Sequence, residues 1–180
     1  MARAGLTGVL LVGGASTRFG SPKALARLNG ESLAERAWRV LGDACTERLA
    51  VGKADEVLDL PFPVVDDGSE TRAPLAGIAA GLRAASTELC VVLPVDMPRV
   101  TPSLLRELAD ACAEAEAAAP ESSPLPAAYR RTSLPILERR LAEGALALHE
   151  ALAELEAVRL RVDNARLENV NTPDDLRRLG

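Results

Sequence analysis

The chain is 180 residues long, 48% hydrophobic and 26% charged, with a formal net charge of −5. That length and apolar content suit one folded domain over residues 1–180 with a sizeable core, and they exclude a disordered chain. The acidic balance excludes a general nucleic-acid binder, which needs a basic face, and 2% aromatics is too few for a base-stacking platform.

Strand-like and helix-like runs alternate along the chain, which predicts an α/β domain with a mostly parallel sheet. The first strand is expected over residues 7–12, where Val9-Leu10-Leu11-Val12 runs into Gly13-Gly14. A helix is expected over 32–41, with Leu33, Ala37, Val40 and Leu41 at helical spacing and Trp38 in a packing role. Short strands are expected over 48–51 and 61–65, the latter ending at Asp66-Asp67. A Gly- and Ala-rich helix follows over 74–85, then a continuous apolar run, Leu89-Cys90-Val91-Val92-Leu93, as in a strand buried on both faces. A helix is expected from Pro102 to about 114, a weak strand over 115–119 and a Ser/Pro-rich loop over 120–126. A strand over 127–130, helices over 134–142 and 146–155, and a half-solvated strand over 158–162 complete the pattern. Near the end, Thr172-Pro173-Asp174-Asp175 reads as an N-cap, a first-turn proline and a capping-box acid.

Chemistry concentrates where the first strand ends. Two glycines let a backbone approach a ligand closely and present its N–H groups. Arg18 and Lys23 then bring two cations to the same loop. Backbone donors and cations at the carboxyl end of a buried strand suit a nucleoside triphosphate. The loop is neither a Walker A motif nor a Gly-x-Gly-x-x-Gly fingerprint. Asp96 follows the apolar strand at once, where ligands bind in open sheets. It is the candidate magnesium ligand, because Mg2+ takes one or two carboxylates plus substrate phosphates; a turn aspartate between prolines is the plainer reading. Cys45, Cys90 and Cys112 are too widely spaced for a zinc or redox motif and read as free thiols in packed positions. His149, the only histidine, reads as a packing or surface residue. No apolar run approaches a membrane span, and Met1-Ala2-Arg3-Ala4-Gly5 lacks a signal-peptide core, so a cytoplasmic location is expected.

Leu11-Val12-Gly13-Gly14-Ala15-Ser16-Thr17-Arg18-Phe19-Gly20-Ser21-Pro22-Lys23 resembles the nucleotide-binding signature of the molybdenum cofactor guanylyltransferases, within the nucleotidyltransferase superfamily. Val12 stands where alanine is usual and Phe19 where methionine is usual. The resemblance spans residues 6–179 and is most specific in its first and last motifs. It implies a three-layer α/β/α nucleotidyltransferase (Rossmann-like) fold that transfers GMP from GTP to molybdopterin, forming the guanine dinucleotide cofactor and pyrophosphate. It implies nucleotide binding by Leu11, Val12, Gly13, Gly14, Lys23, Asp67 and Asp96, catalytic roles for Arg18, Lys23 and Asp96, and Mg2+ on Asp96. Asp66 remains the alternative to Asp67, because Ala73 stands where the family has the first glycine of Gly-Pro-Leu-Ala-Gly. Gly77 and Gly81, just beyond, read as sites of close helix packing. Asn169 and Asn171 match the element that lies near the second substrate or the phosphates; a helix cap and turn is the alternative. Pro126, Arg130 and Arg131 lie where the family has a substrate-facing stretch, although surface arginines are the plainer reading. Partners implied are GTP, molybdopterin or molybdenum cofactor as acceptor, and transient contact with molybdoenzyme-maturation proteins, with no nucleic acid and no membrane. Three alternatives share the loop: a molybdopterin cytidylyltransferase, a guanylyltransferase for a cobinamide phosphate or sugar phosphate, and a nucleotide-binding regulatory module without catalysis.

Overall fold

The computed structural model describes residues 5–13, 19–56 and 58–180. At its centre β1 (Leu6–Leu11) is buried along its whole length. It pairs in parallel with β4 (Glu47–Gly52) on one side and β6 (Leu89–Pro94) on the other. β5 (Val64–Asp66) adds in parallel outside β4. Beyond β6 one strand is reversed. β8 (Ala127–Arg130) runs antiparallel to β6 and to β7 (Ala117–Pro120), and β7 pairs in parallel with β9 (Val158–Leu160). The order is β5-β4-β1-β6-β8-β7-β9.

Both faces are covered, which is why β1 and β6 read as unbroken apolar runs. α1 (Leu33–Ala44) packs beside α3 (Pro102–Ala111), and α2 (Pro74–Ala84) beside α4 (Leu134–Ala142). Alternate residues of β1 separate the two layers. Gly8 faces Leu41 and Cys45 at the end of α1, whereas Val9 and Leu11 face α2. α2 comes close because it presents glycine there. A Cβ on Gly81 would sit 2.5 Å from Val9, and one on Gly77 2.8 Å from Leu11. Close helix packing is therefore what these two glycines serve. The remaining helices are α5 (Leu148–Glu154), against α4 and β7, and the C-terminal α6 (Pro173–Leu179). No described helix is long and apolar enough to cross a membrane.

Local chemistry sets several boundaries. Ser32 caps α1 in a reciprocal box with Glu35, so the helix starts one residue later than its periodicity implies. Thr172 and Asp175 form the expected box at α6. The third parallel strand is shorter than 61–65. Pro61 and Pro63 have no N–H for the ladder, and Phe62 stacks on Trp38 at 4.2 Å with Arg48 over the Trp38 ring. Trp38 thus has the packing role expected of it. A hairpin of β2 (Arg27–Leu28) and β3 (Glu31–Ser32) goes beyond the sequence reading. Asn29 and Gly30 turn it with positive φ of 53° and 86°. Burial pushes the Cys45 and Cys90 thiols up to about 12 and that of Cys112 to about 11. His149 is exposed.

Candidate functional site

Four parallel strands deliver their carboxyl ends to one cavity of about 420 Å3. Backbone bonds continue past the strands and fix the connecting loops. Val12 N–H donates to Val51 O at 3.0 Å, Asp67 N–H to Gly52 O at 2.9 Å, and Val95 N–H to Leu11 O at 3.3 Å. The C-terminal segment is tied in by Val170 N–H donating to Asp96 O at 2.8 Å. That one bond carries Asn169 to the cavity wall and Asn171 to its rim.

Two lysines organise the charge. Lys23 opens a 3-10 turn (Lys23–Leu25), and its Nζ donates to Asp96 Oδ2 and Asn171 Oδ1, both at 3.2 Å. Residues from the first strand loop, the central strand end and the C-terminal segment therefore meet at one ammonium group. Lys53 Nζ, buried in the wall past β4, donates to Asp67 Oδ1 at 2.8 Å and to the carbonyls of Ser69 at 2.5 Å and Thr71 at 2.7 Å. Ser69 N–H donates to the same Asp67 oxygen. Asp67 is held from both sides in a wrapped loop, and its charge is balanced inside the wall. Asp66 is exposed, and its Oδ1 accepts from Ala54 N–H, so Asp67 is the aspartate that lines the cavity. On the same side Glu56 and Arg72 pair at 2.6 Å.

Residues 8–158 match the model of the MobA-like NTP transferase domain. The chain belongs to this family. It is a nucleotidyltransferase of the molybdenum cofactor guanylyltransferase group. A protein of Chloroflexus aggregans described as a probable molybdenum cofactor guanylyltransferase is 37% identical, covering 96% of this chain and 92% of the relative. One of Opitutus terrae with the same description is 35% identical, covering 94% and 92%. The crystal structure of molybdopterin-guanine dinucleotide biosynthesis protein A from Archaeoglobus fulgidus superposes with a TM-score of 0.83 at 27% identity, covering 96% of each chain.

In this MobA-like chain Leu11, Val12, Gly13, Lys23, Asp67, Asp96 and Asn169 all line the cavity, and Asn171 reaches it through Lys23. Gly14 and Arg18 lie outside the described residues. Arg130 and Arg131 stand at the other end of the sheet. Arg130 pairs with Leu89 where β6 begins, and Arg131 N–H donates to Glu88 O. Arg131 is exposed, as its surface reading expects, whereas Arg130 is half-buried. Ser123, Pro124 and Leu125 close one wall, so the Ser/Pro-rich stretch is part of the cavity, with Pro126 just behind it at the start of β8. Sequence reasoning passed over Lys53, Glu56 and Arg72. The available signal was that Lys53 directly follows β4, and that Glu56 and Arg72 lie in the loops after β4 and β5, where ligands of parallel sheets bind.

Among the described residues no cluster of three or more His, Cys, Asp or Glu gathers. Asp96 is the carboxylate that would hold a metal here, the remaining ligands coming from substrate oxygens. Magnesium is commonly held in that manner, through one or two carboxylates plus substrate phosphates, so the donor set fits it.

Proposed function

We propose that this enzyme transfers GMP from GTP to the terminal phosphate of molybdopterin, giving the guanine dinucleotide form of the cofactor and pyrophosphate. The observation that carries the reading is the meeting of Lys23, Asp96 and Asn171 at the mouth of the cavity. The names borne by its relatives supply the nucleotide and the acceptor.

The acceptor phosphate is already an anion, so its oxygen can attack the α-phosphorus of GTP without a strong general base. The bond from that phosphorus to the bridging oxygen breaks, and pyrophosphate leaves with the electron pair. What remains for the protein is to hold two polyanions in line and to offset charge on the leaving group. Lys23 donates to the triphosphate. Asp96 is the side chain that would hold Mg2+, which neutralises phosphate charge when bound. Backbone at Gly13 and Gly14 contacts the nucleotide, Arg18 adds positive charge, and Asp67 accepts from the nucleoside. Asn169 and Asn171 offer neutral donors to the second substrate.

Calorimetric titration with Mg2+ and GTP, CTP or ATP tests this on wild type and Asp96→Ala. Preference for GTP that weakens in the variant is the expected result. Preference for CTP, or no nucleotide binding, would overturn it.

A further inference from the structure

The Glu56–Arg72 pair is a third charged pair lining the cavity, beside Lys23–Asp96 and Lys53–Asp67, and the reading above leaves it unused. Glu56 follows β4 and Asp96 follows β6, with β1 between them. The ends of β4 and β6 are two strand spacings apart, roughly 10 Å across the sheet. Arg72 Nη1 holds Glu56 Oε1 at 2.6 Å, and its Nη2 pairs with Asp55 at 2.5 Å. The other Glu56 oxygen is turned over the glycine turn: a Cβ built on Gly13 would lie 3.5 Å from Oε2. The Glu56 side chain is 25% exposed and lines the cavity.

A carboxylate repels phosphate, so this end of the cavity takes the neutral part of a nucleotide, the base. A carboxylate only accepts hydrogen bonds. Guanine presents two adjacent donors on one edge, N1–H and N2–H. Adenine and cytosine present an amino group beside a bare acceptor nitrogen, which a carboxylate repels. We propose that Glu56, held in place by Arg72, is the specificity residue that reads the guanine base through its N1–H and N2–H donors. The inference rests on the GTP reading above and assigns its base selection to one side chain.

The test is equilibrium binding, with Mg2+, of GTP, ITP, ATP, CTP and inorganic tripolyphosphate to wild type, Glu56→Gln and Arg72→Met. Inosine lacks the N2 amino group, so the wild type should bind ITP about tenfold less tightly than GTP, a result that needs no variant. Glu56→Gln should weaken GTP about ten- to a hundredfold, leave tripolyphosphate unchanged and collapse the preference for GTP over ATP. Arg72→Met keeps the carboxylate and loosens its position, so GTP weakens by a smaller factor and the order of bases stays. A wild type that prefers GTP but binds ITP equally well, or a Glu56→Gln variant that keeps the preference over ATP, overturns the role of Glu56 and leaves the guanylyltransferase reading standing. A wild type with no preference for GTP overturns both.

Discussion

The two ends of the sheet carry similar polar residues and use them differently. At the amino end Thr7, Glu47, Ser86 and Thr87 satisfy one another. Glu47 accepts from Thr7 Oγ1 and from the backbone N–H and hydroxyl of Ser86, while the hydroxyls of Thr7 and Thr87 lie 2.7 Å apart. Arg130 donates to the carbonyl of Ala113. The group is closed, and Thr7 is fully buried. At the carboxyl end Lys23, Asp96, Asn169, Lys53 and Asp67 also bond to protein, but they do so around an open cavity. Parallel strands impose this asymmetry. Their carboxyl ends all leave the sheet on one side, and the loops diverge above the strand order to open a crevice. Polar residues at one end bond only within the fold, and at the other they line the cavity proposed to take the nucleotide.

Substitutions at each end should therefore separate activity from stability. The largest effect is expected for Asp96→Ala, which should lower GMP transfer by about 10²- to 10³-fold with little change in melting temperature, measured by pyrophosphate release and thermal denaturation. Lys53→Met strips Asp67 and two carbonyls of a buried partner. It should cost about 3 kcal/mol, a fall of roughly 6–12 °C in melting temperature, and it should also weaken nucleotide binding. It alone bridges the two behaviours, because Lys53 builds the wall that the ligand meets. Lys23→Ala should reduce transfer by about ten- to a hundredfold through loss of a charge-assisted contact.

The smallest effect belongs to the amino end. Hydrogen bonds from Ser86 first, then Thr7, hold the Glu47 carboxyl below its ordinary 4.5. A carboxyl depressed in the folded state stabilises it above the unfolded value, and that contribution is lost as pH falls through the folded one. Glu47→Gln should flatten the acid side of the stability–pH curve and leave nucleotide affinity untouched. A loss of affinity in this variant would break the separation between the two ends.

Much of the fold was legible because burial on both faces leaves a strong mark. Val9 to Val12 and Leu89 to Leu93 could hardly be anything but central strands. Asp96 stood out by following such a strand at once and Lys23 by its place in the loop after Gly13-Gly14, but the family resemblance was what raised Asp96 above a plain turn aspartate. The edge of the sheet was harder to read. Adjacent strand residues face opposite sides, so Asp66-Asp67 offers two candidates, and only the register of β5 on β4 selects Asp67. Lys53 reads as a solvated lysine until the 67–71 loop is seen to wrap its ammonium group. The Ser123–Leu125 wall was hidden by its loop-like composition, because what places it in the cavity is the antiparallel return of β8 along β6.

The most direct measurement is the reaction itself: enzyme, Mg2+, GTP and molybdopterin, followed by mass spectrometry of the pterin and by pyrophosphate release. The account predicts a product heavier by one GMP unit and one pyrophosphate for each product formed, both abolished in Asp96→Ala. Product formed from CTP instead of GTP, or GTP bound with neither product released, would contradict it.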